Sequence, residues 1–258
     1  MPTPEKQYYS ETLEKGLNIL RLFNEYNQGL TLTEISRSLG INKTSIYRYL
    51  NTYCKLGYLR KDPHTKLFKL GPRTISLAQS FLQGSDLVNL IKPVVDKVHI
   101  QQKIHIDVGL LHRDSIYLIY RMGTKDTLTF QHFTVGRELH LLALGKAVMA
   151  FLPKNEQQDL VDGLDFKKKT SNSIMSKSDL IVELKTTFKK GYATGDEEFI
   201  PGLISIAAPI VDLHKSQVHG AISFDSSTSR HTMKKFEQKY SDTLVSTAKE
   251  ISALLPDS

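Results

Sequence analysis

The sequence predicts an α+β chain in two parts: a small trihelical head closed by a two-stranded hairpin, and a larger unit of antiparallel strands flanked by helices. Three observations carry this. Before residue 56, apolar residues recur at helical spacing in three short segments, and two alternating segments joined by a turn follow. Beyond residue 84, alternating strand-like runs and helix-like runs are interspersed. The charge is also uneven. Residues 1–83 hold 12 Lys and Arg against 6 Asp and Glu, a net of +6 out of +7 for the whole chain.

Length and composition narrow the class. A chain of 258 residues with 40% apolar content can bury the cores of two ordinary domains. No apolar run approaches the length of a membrane span, and the opening stretch MPTPEKQYYSETLEK lacks the basic-then-apolar order of a signal peptide. One cysteine, Cys54, rules out a disulfide framework within the chain. These features predict a soluble, cytoplasmic protein. The basic first third fits a nucleic-acid footprint or a surface made basic for solubility, and charge alone does not separate the two.

The elements of the head separate them. Ser10 is an N-cap candidate with Glu11 behind it, and Leu13, Leu17, Leu20 and Phe23, with Ile19, form the apolar side of a first helix that Asn27-Gln28-Gly29 breaks. Thr31-Leu32-Thr33-Glu34 fits a capping box. Leu32, Ile35 and Leu39 give the second helix one apolar face, Gly40 permits a left-handed turn, and Ile41 plugs the corner. Asn42 caps a third helix running to about Lys55. Ile46, Tyr49, Leu50 and Tyr53 form its packing stripe, and Thr44, Tyr47, Arg48 and Asn51 form the opposite one. No acid occurs from Ile35 to Lys61, as a surface approaching phosphates requires. Arginine can fork onto guanine, asparagine onto adenine, and hydroxyls onto phosphates.

Gly57 ends that helix. Tyr58 to Lys61 and Lys66 to Leu70 read as paired strands about the turn Asp62-Pro63-His64-Thr65. The order is that of a winged helix-turn-helix. Its candidate DNA contacts are Thr33, Asn42, Lys43, Thr44, Ser45, Tyr47, Arg48 and Asn51 on the helices, and Arg60, Lys61, His64 and Lys66 on the wing.

The second part reads as a helix over 84–102, with Pro93 as a possible kink or break. Strands follow at Ile104 to Leu111 and Ser115 to Arg121 about His112-Arg113-Asp114, with a third at Leu128 to Phe133. Leu142 to Leu152, Glu156 to Leu164 and Ser178 to Lys190 read as helices. Tyr192 to Thr194, Ile204 to Ile210 and Gly220 to Phe224 read as strands, and Thr232 to Leu255 as the last helix.

Several motifs in the same order resemble the IclR family of bacterial transcription regulators. In the head they are LEKGLNILRLF, LTLTEISRSLGINKTSIYRYLNTYCKLGYLRKD and KLFKLGPRTISLAQSFL. Later come His140 to Ala147, Thr170 with Ser173-Ile174, Gly191-Tyr192-Ala193, Asp196-Glu197-Glu198, and Gly202 to Pro209. The resemblance implies a DNA-binding domain over 9–71, a linker helix over 72–84 opened by Gly71-Pro72-Arg73, and a GAF-like effector-binding domain over 85–258. It implies a DNA-binding regulator, more often a repressor, that controls a catabolic operon. Its partners would be a palindromic double-stranded operator and an effector among the small organic, sugar or aromatic acids. A homodimer or homotetramer is expected, since one chain carries one recognition helix, with the first helix and the linker helix as the dimer seam. No membrane partner and no cofactor are implied.

By the same resemblance the effector pocket takes Ala143, Gly195, Leu203, Ser205, Ser223 and Asp225. His140 stands directly before the pocket helix, and amides near Gly145 are suited to a carboxylate. Asp225 departs from the family's small polar residue. A carboxylate there repels an anionic effector, so the effector offers it hydroxyls or an amine, or the side chain turns away. Five histidines (His99, His105, His112, His132 and His140) lack the spacing of a metal set, and no metal ligand is assigned. No P-loop, nucleophile elbow, H-E-x-x-H or cysteine nucleophile context is present, and Asp196-Glu197-Glu198 reads as a structural turn or a surface acidic patch, so no enzyme is expected. The alternatives are a ligand-independent DNA-binding adaptor, or a metabolite-converting enzyme fused to a DNA-binding head.

Overall fold

The computed structural model describes residues 8–23, 29–124, 135–212 and 217–255. The chain divides into two compact units, one up to Gly84 and one from Ser85.

The first unit holds α1 (Glu11–Leu22), α2 (Leu32–Leu39), α3 (Lys43–Leu56), β1 (Leu59–Lys61), β2 (Phe68–Leu70) and α4 (Arg73–Gln83). Its ends follow the local chemistry. The Ser10 hydroxyl accepts from Leu13 N and caps α1. The capping box at Thr31 is complete: Thr31 Oγ1 accepts from Glu34 N, and Glu34 Oε2 accepts from Thr31 N at 2.7 Å. Gly40 sits at φ 64°, so α2 and α3 meet at an angle that a side chain would strain. Ile19, Phe23, Leu30, Ile35, Ile46, Leu50, Leu59 and Phe68 form one core.

Three details depart from the periodicity. Helix α1 buries Gly16, Ile19 and Phe23, while Leu13 and Leu17 stay 62% and 51% exposed. The side of α1 that includes Leu13 is therefore an open apolar surface. The wing strands are shorter than expected, and Leu30 joins them through an isolated bridge to Phe68. Asn27 and Gln28, expected to break the first helix, lie outside the described residues. The helix already closes at Phe23.

Gly71 packs against the end of α3. A Cβ there would stand 2.3 Å from the Gly57 carbonyl oxygen, and Gly71 N donates to Tyr58 O at 2.7 Å. Both neighbours are backbone and neither can rotate away. Gly71→Ala should cost the head about 1–3 kcal/mol, the range for overpacking, read as a lower midpoint in chemical denaturation. A wild-type midpoint would show that the backbone yields at this contact.

The second unit contains α5 (Asp86–Gln102), β3 (His105–His112), β4 (Ser115–Met122), β5 (Val135–Gly136), α6 (Ala143–Phe151), α7 (Lys154–Gly163), α8 (Lys177–Lys190), β6 (Ala193–Asp196), β7 (Leu203–Asp212), β8 (Gln217–Ser227) and α9 (Met233–Ala253). Helix α5 runs unbroken through Pro93. The strands form one antiparallel sheet in the order β5-β4-β3-β8-β7-β6. The expected strand at Leu128 to Phe133 lies outside the described residues, and the two-residue β5 was not legible.

The sheet alternates by parity. Phe224 on β8 meets the Tyr240 ring of α9, which packs with α5. Ala207 and Ala221, of the opposite parity, join the cluster of α6, α7 and α8 that contains Ala143, Ala147 and Leu184. The α6 side of the sheet carries the polar residues considered next. No helix among the described residues is long and apolar enough to cross a membrane.

Candidate functional site

On the head, the acid-free stripe points outward. Thr44, Tyr47, Arg48 and Asn51 are exposed, while Ile46 and Leu50 on the far side of α3 are fully buried. Tyr49 anchors the helix by donating to Thr12 O of α1 at 3.2 Å. Thr33, Asn42 and Lys43 are also exposed, and Ser45 is half-buried. Part of Asn42 is already committed, because its Oδ1 accepts from Ser45 N at 2.8 Å and caps α3.

Arg60, Lys61, His64 and Lys66 are exposed on the wing. Lys61 Nζ lies 5.3 Å from the Phe68 ring centre, and Lys66, at φ 60°, donates through Nζ to Pro63 O at 2.6 Å. The nearby acid, Asp62, is turned into the wing. Its carboxylate accepts from Thr65 N and His64 N, both at 2.9 Å, and these bonds hold it below the usual carboxylate range. The head thus presents cations and hydroxyls along α3 and the wing, with its one wing carboxylate bound internally.

The second unit contains an open cavity between the sheet and the start of α6. Strand pairing builds its floor in two rows. One row runs Gly195, Ser205, Asp225, His105, and the next runs Ala193, Ala207, Ser223, Asp107, Arg121. Leu141 to Leu144, Phe199, Ile200 and Leu203 supply apolar walls.

The polar floor is one connected cluster. Arg121 grips Asp107 with a two-pronged fork, Nε to Oδ1 and Nη2 to Oδ2, both 2.6 Å. His105 Nε2 lies 3.1 Å from Asp107 Oδ1. Ser205 Oγ donates to Asp225 Oδ1, and Ser223 Oγ donates to Oδ2 at 3.0 Å. Burial favours the neutral form of Asp107, but the Arg121 hydrogen bonds, followed by those of His105, hold its carboxyl below the ordinary value. Burial, and then the charge of Asp107, push Asp225 up to about 6. Burial opposes the charged form of His105, but its bond to Asp107 and the charge of Asp225 outweigh this and raise it.

His105, Asp107 and Asp225 bring one potential ligand atom each within 4.8 Å of one another. Histidine spacing did not reveal this set, because β3–β8 pairing assembles it. Among these three, Asp107 already has both oxygens on a guanidinium.

A second cluster ties the cavity rim to α6. Lys146 is fully buried, and its Nζ donates to both carboxylate oxygens of Glu198 at 2.7 Å, with Glu183 at 3.6 Å. Burial raises the Glu198 carboxyl, and Lys146 opposes the shift. The hydroxyls of Thr170 and Ser173 donate to Glu198 O at 3.1 and 2.9 Å. The acidic turn read from the sequence thus anchors the rim that carries Phe199 and Ile200 to α6 and to the Thr170–Ser173 turn.

Ala143, Gly195, Leu203, Ser205, Ser223 and Asp225 line the cavity, and Asp225 turns into it. His140 and Gly145 do not line it. His140 is fully buried with its ring 4.8 Å from Phe166, and neither ring nitrogen has a hydrogen-bond partner among the described residues. Burial lowers its pKa, which suits a neutral core residue. Gly145 faces the Leu139 backbone, where a Cβ would stand 2.3 Å from Leu139 O. Helix α6 starts at Ala143 under Leu142, which provides no side-chain cap. The open first-turn N–H groups therefore begin at Ala143, ahead of Gly145. His132 lies outside the described residues.

The sequence reading missed Asp107, Arg121, His105 and Glu198 as site residues. The available signal was the alternation His105-Ile106-Asp107-Val108 at the start of β3, which puts two polar side chains on one face of a strand that is otherwise mostly apolar.

Comparisons with known proteins agree with this architecture. Residues 12–63 match the model of the IclR helix-turn-helix domain, and residues 79–253 match that of the bacterial transcriptional regulator IclR C-terminal domain. The chain is 26% identical over 245 residues to the Pca regulon regulatory protein of Pseudomonas putida, covering 94% of this chain and 83% of that protein. It is 25% identical to the transcriptional repressor IclR of Escherichia coli, covering 94% and 89%. An IclR homolog from Microbacterium hydrocarbonoxydans, solved in complex with 4-hydroxybenzoate, superposes with a TM-score of 0.73 at 16% identity, covering 94% and 98%.

Proposed function

The chain belongs to the IclR family of bacterial transcriptional regulators, and on that premise we propose how this molecule works: α3 reads operator DNA, the wing holds the flanking phosphates, and a metabolite in the sheet cavity sets the affinity. The observation that carries the reading is the outward, acid-free stripe of Thr44, Tyr47, Arg48 and Asn51 on a helix whose other side is core. The regulator acts as a repressor of a catabolic operon, released or tightened by a small organic, sugar or aromatic acid or a related hydroxylated compound. The aromatic acid bound by the Microbacterium homolog supports a small-molecule effector. Ala143, Gly195, Leu203, Ser205, Ser223 and Asp225 contact it. A palindromic operator requires two heads about one DNA turn apart, so the working species is a homodimer or a pair of dimers.

The roles of the two surfaces separate experimentally. Arg48→Ala should lower binding to a selected operator by about 1–3 kcal/mol and relax its base preference. Lys66→Ala should weaken binding to operator and random duplex alike and flatten the salt dependence by about one unit of slope. Fluorescence anisotropy on both duplexes over a salt series measures these. Identical behaviour of the two variants on both duplexes would overturn the assignment.

A further inference from the structure

From the geometry of the cavity floor we infer that Asp225, Ser205, Ser223 and Arg121 form a hydroxyl-recognition site, so that the effector is a polyhydroxylated, sugar-like compound rather than an aromatic or simple carboxylic acid. This rests on the cavity being the effector site, and it names the effector's chemical class.

The charges on the floor decide which groups fit. The Arg121 fork spends its charge on Asp107, with both bonds at 2.6 Å. Glu198, also in the lining, has both oxygens on Lys146, so Asp225 is left as the lining carboxylate that no lysine or arginine grips, with hydroxyl donors from Ser205 and Ser223 on its two oxygens. A carboxylate offers about four lone-pair directions, so Asp225 has acceptor capacity for two further donors. A ligand carboxylate brought there meets like charge in a partly dehydrated site. An ammonium satisfies Asp225 but has no lone pair for Arg121 and sits against a guanidinium. Two of the five guanidinium N–H groups are used by Asp107, and Arg121 also lines the cavity.

A hydroxyl answers both demands, since it donates and accepts. Neighbouring hydroxyls on adjacent carbons give one donor to Asp225 and one acceptor to Arg121. The C–H faces of such a molecule suit the walls of Leu141, Leu144, Ile200 and Leu203. If the molecule also bears a carboxylate, the first turn of α6, which has no side-chain cap, is where it goes. A divalent cation on His105, Asp107 and Asp225 is the competing occupant. It would have to displace Arg121 from both Asp107 oxygens.

Calorimetric titration of the full chain with matched pairs tests this: xylitol against pentanol, and gluconate against hexanoate, with benzoate and 4-hydroxybenzoate as aromatic acids. At least one hydroxylated member should bind tenfold or more tightly than its unhydroxylated partner and than either aromatic acid. Asp225→Asn and, independently, Asp225→Ser should each weaken that binding about tenfold or more. Three results would overturn the inference: no hydroxylated probe binds, the unhydroxylated or aromatic acids bind as well, or binding requires added zinc and is abolished by EDTA. The matched pairs on wild type decide the matter even if a variant misfolds. Anisotropy of the wild-type chain on duplex DNA, run in parallel, tests the regulator reading separately.

Discussion

Lys146→Ala should destabilise the second unit by about 3–5 kcal/mol, a large share of the roughly 5–15 kcal/mol that holds an ordinary domain together. Lys146 has no solvent exposure, and its ammonium sits 2.7 Å from both oxygens of Glu198 and 3.6 Å from Glu183. Removing it strands a mostly buried carboxylate, already raised by burial, beside a second acid. The fall should appear as roughly 10 °C in thermal unfolding. The double change of Lys146→Met with Glu198→Gln should recover most of the loss, because it removes both charges and leaves neither uncompensated. A single variant as stable as wild type would mean that water reaches Glu198 and that the pair does not hold the rim.

The second large effect concerns assembly. Leu13 and Leu17 on α1, and Ile75, Leu77 and Phe81 on α4, are all more than half exposed, although each is a large apolar side chain. Single exposed leucines are ordinary, but this many on two helices of one small unit are what the proposed dimer seam on α1 and α4 would bury. Leu17→Glu combined with Phe81→Asp should remove one step of self-association in sedimentation velocity. It should also lower operator affinity by about 10²- to 10⁴-fold, because each head then binds its half-site alone. An unchanged association state in the double variant would sink the seam on α1 and α4.

The head was readable in detail because its signals are local. Thr31 and Glu34 are three residues apart, Gly40 and Gly57 both take the left-handed turn their positions require, and the two stripes of α3 obey helical spacing. The longer sheet strands, β3, β4, β7 and β8, were readable for the same reason. What escaped is what depends on distant pairing. Asp107 acquires meaning only when β4 brings Arg121 beside it and β8 brings Ser223. His140 shows the converse error. Standing next to a pocket helix in the chain does not tell which way a side chain turns, and its ring turns to Phe166. Likewise, Leu13 and Leu17 satisfied the helical period, yet α1 buries Gly16, Ile19 and Phe23 instead. Periodicity identifies an apolar stripe but not whether the chain itself or another molecule covers it.

The contact of Gly71 on Gly57 has a mechanical consequence. With no side chain between them, the first residues of α4 and the last turn of α3 touch backbone to backbone, and Arg73 N also donates to Gly57 O. A joint without a compressible spacer has no slack. Torque on α4 therefore passes undamped to the base of the wing and the tail of α3, so that within the head a small rotation of one rod becomes a tilt of the reading edge.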